Sequence, residues 1–136
     1  MVTFSGSFAG NARLQTIIGL SDVPNHALNL EVSGPQQSTD PQWNDARVTY
    51  WDVADLVAGS DPQRGYFLNE HADGDRDWGS FEGQITTSGS QVTLEGTWTF
   101  TGGTGKFRGI RGGGSYQGRM TSPGNVAMEW QGEYQV

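Results

Sequence analysis

The clearest structural signal in the chain lies in residues 92–121, which read VTLEGTWTFTGGTGKFRGIRGGGSYQGRMT. Over residues 92–101 one face of the alternation carries Val92, Leu94, Gly96, Trp98 and Phe100, and the opposite face carries only Thr and Glu. Because successive side chains of a strand point to opposite faces, this period of two predicts a half-buried antiparallel strand. A glycine-rich connector follows, and a second alternating strand then carries Tyr116, Gly118 and Met120.

The same period of two recurs along the rest of the chain and predicts strands at 2–8, 13–20, 27–33, 46–53, 65–71, 78–87 and 125–136. A polar stretch with two prolines, residues 34–44, is predicted as an irregular loop that Trp43 holds down. Asp52 is predicted to cap a single helical turn over residues 53–58. Eight or nine strands joined by turns indicate an all-β barrel or sandwich.

Long alternating strands with glycines at their bends favour the barrel over the sandwich. We therefore predict one domain over residues 1–136, folded as a single antiparallel up-and-down barrel of about eight strands. In the glycine-rich connector, Phe107 and Ile110 are predicted to plug one end of this barrel.

Composition excludes several classes of protein. The chain has 136 residues and a net charge of −7, which argues against nucleic-acid binding because that function needs a basic surface. It has no cysteine, which excludes disulfides and thiolate metal sites, and it has no apolar run of the ~20 residues that a membrane-spanning helix needs. No basic region followed by an apolar run opens the chain, so we expect a soluble protein, with the cytoplasm favoured.

The run GGTGKFRGIRG, Gly102 to Gly112, resembles the allene oxide cyclase-like barrel group, which includes dirigent proteins and uncharacterised bacterial members. The preceding GTWTF, Gly96 to Phe100, fits the same pattern. The resemblance implies an eight-stranded barrel with a partly apolar cavity, assembled into dimers or trimers. Known members cyclise fatty-acid epoxides or guide radical coupling. We match none of their catalytic residues to this chain, so the activity does not follow from the fold.

Two glutamates are candidate proton-transfer residues. Glu70 and His71 are adjacent in a predicted strand and therefore point to opposite faces. Tyr66 and Leu68 share the face of Glu70, so we expect Glu70 to point into the barrel, with Glu82 on the next strand as the other candidate. A carboxyl in an apolar interior has a raised pKa and suits general acid or base catalysis. The alternative is an inward acid that is merely hydrogen-bonded, or one at the wet mouth of the barrel.

Five residues are predicted to line the cavity and bind a ligand: Tyr50, Trp51, His71, Trp78 and Tyr116. An aromatic wall suits a flat or apolar ligand, and hydroxyl and indole N–H groups would orient it. The same aromatic residues also suit a filled core or a subunit interface.

The segment 69–77 places the oxygens of Asn69, Asp73, Asp75 and Asp77 around Gly74, which is compatible with calcium. It departs from the EF-hand, since Ser80 stands where a bidentate glutamate is required. A solvated hairpin loop is the alternative, and our prediction is no metal and no cofactor.

The leading functional hypothesis is a barrel that binds a small hydrophobic or amphipathic molecule in its cavity. One alternative is a cofactor-independent cyclase or isomerase that uses an inward glutamate. Another is a structural or assembly protein with a filled barrel. The predicted partners are a small hydrophobic ligand and further copies of the chain in a dimer or trimer, with neither nucleic acid nor membrane.

Overall fold

The computed structural model of the chain describes residues 1–18, 27–54, 60–122 and 125–136. Within these ranges eight strands close into a barrel, in which every strand pairs antiparallel with its sequence neighbours and β1 pairs with β8. The strands are β1 (Val2–Ile18), β2 (Ala27–Ser38), β3 (Arg47–Ala54), β4 (Ser60–Glu70), β5 (Arg76–Ser88), β6 (Gln91–Gly103), β7 (Arg111–Ser122) and β8 (Asn125–Gln135). A short 3-10 helix, Gly105–Phe107, lies between β6 and β7. The predicted eight-stranded up-and-down barrel is confirmed.

The first strand differs from the prediction of two separate strands. β1 runs without a break through 17 residues, because β8 pairs with its first half and β2 pairs along most of its length. The register of the β1–β2 pairing shifts between Ala12 and Leu14, close to residue 13, where the sequence pattern predicted that a second strand begins.

Two predicted irregular segments are partly strand. β2 extends to Ser38, well into the predicted loop, because β1 pairs with its last residues. β3 continues through Ala54, so the predicted helical cap at Asp52 is wrong: Asp52 pairs across the strands with Leu30 and Gly65. The rest of the predicted helical turn, residues 55–58, lies outside the described residues.

The barrel interior is filled mainly by aromatic rings, and glycines on neighbouring strands make room for them. Gly83 and Gly96 are cross-strand partners on the inner face. A Cβ at either position would come within 2.5 or 2.6 Å of the Tyr116 hydroxyl oxygen. The rings of Trp130 and Trp98 cover other glycines in the same way, so the glycine-rich composition reflects large side chains packed over bare backbone.

One end of the barrel is closed by the β2–β3, β4–β5 and β6–β7 connections, and we call it the plugged end. Trp43, Phe107 and Ile110 are all buried there. The ring centroids of Trp43 and Phe107 lie 5.1 Å apart, and Trp43 also contacts Phe4 at 4.8 Å. The prediction that Phe107 and Ile110 plug the barrel is therefore confirmed, and Trp43 joins them from the loop before β3.

Candidate functional site

A cavity of about 90 Å³ lies inside the barrel, next to the plugged end. Its lining consists of Phe4, Phe8, Gln36, Trp43, Val48, Tyr50, Gln63, Phe67, Asn69, Phe81, Trp98, Phe100, Tyr116, Met128 and Trp130. Aromatic and aliphatic side chains predominate, with amides and tyrosine hydroxyls as the polar groups. Among these described lining residues there is no carboxyl group and no imidazole.

A chain of hydrogen bonds leads from the cavity to a buried carboxyl group. The Tyr116 hydroxyl donates to Gln63 Oε1 at 3.0 Å, and Gln63 Nε2 donates to Asp52 Oδ2 at 2.6 Å. Asp52 is only 2% exposed. Its Oδ1 has no hydrogen-bond partner among the described residues, so one polar atom of the interior is left unsatisfied.

This environment changes the acidity of the groups along the chain. Burial raises the pKa of Asp52 to about 7, and the hydrogen bond from Gln63 opposes that rise. Burial also raises the pKa of Tyr50 and of Tyr116 above the ordinary value of 10.0, and the nearby Asp52 charge adds to both. Asp52 therefore changes its protonation near neutral pH, whereas both tyrosines keep their protons, and Tyr116 donates its own to Gln63.

A second polar network lies between the cavity and the plugged end. Gln36 Nε2 donates to Asn69 Oδ1 at 2.9 Å, and Asn69 Nδ2 donates to Asp77 Oδ1 at 2.8 Å. The other carboxyl oxygen of Asp77 accepts from the Trp43 indole at 3.0 Å and lies 2.7 Å from His71 Nε2. Asp77 is fully buried, yet both of its oxygens have partners.

The His71 ring is held from both sides. Its Nδ1 lies 2.7 Å from the carbonyl oxygen of Gln42, which can only accept, so Nδ1 carries a hydrogen. A further proton lies between Nε2 and Asp77 and makes the pair either imidazolium and carboxylate or two neutral groups. The ring also packs 4.4 Å from Phe107, which fixes its plane.

The predicted ligand-binding residues fall into three groups. Tyr50 and Tyr116 line the cavity. Trp51 and Trp78 point outward and are 40% and 37% exposed, so their placement in the cavity wall is wrong. His71 points inward, but it lies in the plugged-end network and does not line the cavity.

Both predicted proton-transfer residues point outward. Glu70 and Glu82 are exposed on the outer faces of β4 and β5, so the prediction that one of them faces the interior is wrong. On β4 the inner face carries Phe67, Asn69 and the buried Gln63. The inner face is thus the more polar one near the plugged end, and the comparison of apolar residues on the two faces chose the wrong side.

The acidic segment is engaged in contacts within the chain. Asp73 pairs with Lys106 at 2.6 Å, and Asp73 Oδ1 accepts from the backbone N–H of Asp75 at 3.0 Å. Asp77 is directed into the interior network and away from the loop. Over the described ranges no group of three or more His, Cys, Asp or Glu residues is arranged to hold a metal ion.

Sequence reasoning missed Asp52 and Gln63 as interior polar residues. The alternation of β3 could have identified Asp52, because it lies on the same face of the strand as Val48 and Tyr50, which point inward. The parity of β4 gives Gln63 in the same way from Phe67.

No protein-family model, no curated protein and no solved structure matches the chain. Within the described ranges of the chain, no helix has the length and apolar character needed to cross a membrane.

Proposed function

We propose that the barrel binds a small, mainly apolar molecule in its interior cavity. The observation that carries this proposal is the cavity of about 90 Å³ within an otherwise packed aromatic interior. Protein interiors contain few voids larger than a water molecule, so a space of this size is unusual for a barrel that serves only as a scaffold.

The volume limits the ligand. Pockets for drug-sized molecules measure about 300–1,000 Å³, whereas an engineered apolar cavity of about 150 Å³ takes up benzene or xenon. The barrel cavity is closer to the second case. Its occupant would therefore be the size of a single ring or a short chain.

The polar groups of the lining define where a polar end of such a ligand would lie. Tyr116 and Gln63 form one polar edge, and Gln36 with Asn69 forms another beside the plugged end. These groups are already oriented by hydrogen bonds to one another, which favours a ligand with one hydroxyl or carbonyl group and an apolar body.

The cyclase or isomerase alternative is supported by one observation, the raised pKa of Asp52. A carboxyl group that titrates near pH 7 suits proton transfer. Asp52 is absent from the described cavity lining, however, and connects to it through Gln63. Binding without turnover is therefore better supported than catalysis. From the sequence run Gly102 to Gly112 we also propose that the chain belongs to the allene oxide cyclase-like barrel group.

The test is titration of the purified protein with benzene and with phenol, followed by calorimetry and by the melting temperature. Val48→Phe fills the cavity from β3, and Val53→Phe places the same change on the outer face of the same strand. We expect saturable binding to the wild type and to V53F, and its loss in V48F. Tyr116→Phe should weaken the binding of phenol more than that of benzene.

Native mass spectrometry of the freshly purified wild type extends this test, since a retained small molecule would appear as added mass. Folding of each variant is checked by circular dichroism. A folded wild type that retains nothing and binds neither probe would contradict the proposal and favour the filled, structural barrel.

A further inference from the structure

The outer face of three adjacent strands carries an apolar strip, made of the exposed Trp51, Val53, Tyr66 and Trp78 and the half-buried Leu68 on β3, β4 and β5. Tyr66 is 68% exposed. Trp51 and Tyr66 are direct cross-strand partners, as are Leu68 and Trp78, so the residues form one continuous surface. Contiguous aromatic surface of this kind is typical of protein interfaces.

Charged residues border the strip with a definite symmetry. On β4, Arg64 and Glu70 lie three residues before and three residues after Phe67. On β5, Arg76 and Glu82 lie three residues before and after Gly79.

Phe67 and Gly79 are themselves cross-strand partners, so the two strands share one centre row. A positive charge on one side of this row therefore has a negative charge at the matching position on the other side, on both strands.

These four charged side chains are exposed, and none of them forms an ion pair with another described residue. Two arginines and two glutamates cancel, whereas the whole chain has a net charge of −7. Arg47, exposed on β3 opposite Glu70, adds one positive charge, so this face is not acidic. Two copies of an acidic protein repel each other less through such a face than through the rest of their surface.

We propose that this strip is the interface of a homodimer whose two-fold axis runs across the strands along the Phe67–Gly79 row. Rotation about that axis brings each strand opposite the same strand of the partner. The two strands then run in opposite directions, so one border of the strip faces the other border of the partner's strip. Arg64 then faces the partner's Glu70, and Arg76 faces the partner's Glu82. Tyr66 packs on the partner's Leu68. The four border charges of β4 and β5 thus meet their opposites, and each contact occurs twice, as two-fold symmetry requires. Arg47, at the border on β3, faces the partner's Val53 in this arrangement.

The anatomy matches that of known interfaces, with aromatic side chains in the centre and charges at the rim. Stable interfaces use about 20–30 residues on each side, and the strip with its charged border has fewer. We therefore expect a dimer that dissociates on dilution, with a dissociation constant on the order of micromolar.

The test is sedimentation velocity of the full chain over a series of concentrations, supported by light scattering. Arg64→Glu and Glu70→Arg should each weaken dimerisation at least tenfold, because each places like charges together twice. The double variant R64E/E70R restores opposite pairs and should dimerise again. Arg119→Glu, on the outer face of β7, is the control for a change of charge elsewhere.

A mixture of the two single variants provides the sharpest readout. The R64E chain presents two glutamates where the E70R chain presents two arginines, so mixing should form a heterodimer that neither variant forms alone. Thermal unfolding shows that each variant is folded. A wild type that stays monomeric, a trimer, or a dimer that neither reversal weakens would overturn the proposal.

Discussion

The imidazole of His71 and the carboxyl group of Asp77 lie 2.7 Å apart inside the plugged end of the barrel. Asn69 and Trp43 donate to the same carboxyl group, so Asp77 joins β4, β5 and the loop before β3. A buried charge-bearing pair is weak support for stability by itself, but its loss leaves donors without an acceptor. The pair therefore holds the strands and the loop of the plugged end together.

Replacing Asp77 by Asn should be strongly destabilising. Asn69 and Trp43 donate to different oxygens of Asp77, and an amide has only one acceptor oxygen, so at least one buried donor loses its acceptor. We expect a loss of about 2–4 kcal/mol in the free energy of unfolding, measured by urea denaturation. Asp73→Asn, in the adjoining loop and exposed, is the control and should change little. Equal stability of D77N and wild type would contradict the network.

Truncation of the plug should also be costly. Phe107 is fully buried between His71 and Trp43, and Phe107→Ala removes a whole ring there. We expect a loss of about 3–5 kcal/mol. Arg108→Ala changes the exposed neighbour and should leave the urea midpoint nearly unchanged. A small effect of F107A would mean that the end of the barrel is held by other contacts.

The raised pKa of Asp52 predicts a dependence of stability on pH. The folded pKa is about 7 and the ordinary value is 3.8, so the folded chain binds more protons than the unfolded chain between these values. The contribution of Asp52 to stability is therefore complete below about pH 4 and is lost as the pH rises through about 7.

Asp52→Asn removes this titration. The free energy of unfolding of the variant, relative to that of the wild type, should therefore rise by up to about 4 kcal/mol between pH 4 and pH 9. The measurement is urea unfolding of both proteins across that range. Glu129→Gln, an exposed change of the same kind, is the control. A difference between D52N and wild type that does not vary with pH would show that Asp52 is not the titrating group.

The glycines beneath Tyr116 should not tolerate a side chain. A Cβ at Gly96 would lie 2.6 Å from the Tyr116 hydroxyl and would also meet the carbonyl oxygen of Glu82. We expect Gly96→Ala to cost about 2–3 kcal/mol, read from the urea midpoint. Thr97→Ala, on the outer face of the same strand, should cost less. A tolerated G96A would mean that the inner face has more room than the packing indicates.

Much of the barrel follows from the two-residue period of the sequence. On β6 and β8 the alternation puts the apolar residues on one face, and the structure buries Leu94, Trp98, Met128 and Tyr134 of those faces inside the barrel. Closure of the sheet into a barrel was predicted from the long alternating strands and the glycines at their bends, and the pairing of β1 with β8 confirms it. These predictions succeed because a strand in a closed sheet has only two faces.

The candidate site was harder to predict, for reasons that concern β3 and β4. Counting apolar residues assigned Tyr66 and Glu70 to the interior, but the outer face of these strands carries an apolar strip while the inner face carries a polar network. Asp52 was interpreted as a helix cap because Asp commonly occupies that position. Strict parity from Tyr50 would have placed its carboxyl group inside.

The seam between β1 and β8 pairs Val2 with Tyr134, residues that lie nearly the whole length of the chain apart. A protein synthesised from its N-terminus therefore has no partner for the outer edge of its first strand until the last strand leaves the ribosome. During that interval the chain exposes an open sheet edge, which invites pairing with other nascent chains. We expect slow, late ring closure and a dependence of yield on chaperones that shield such edges.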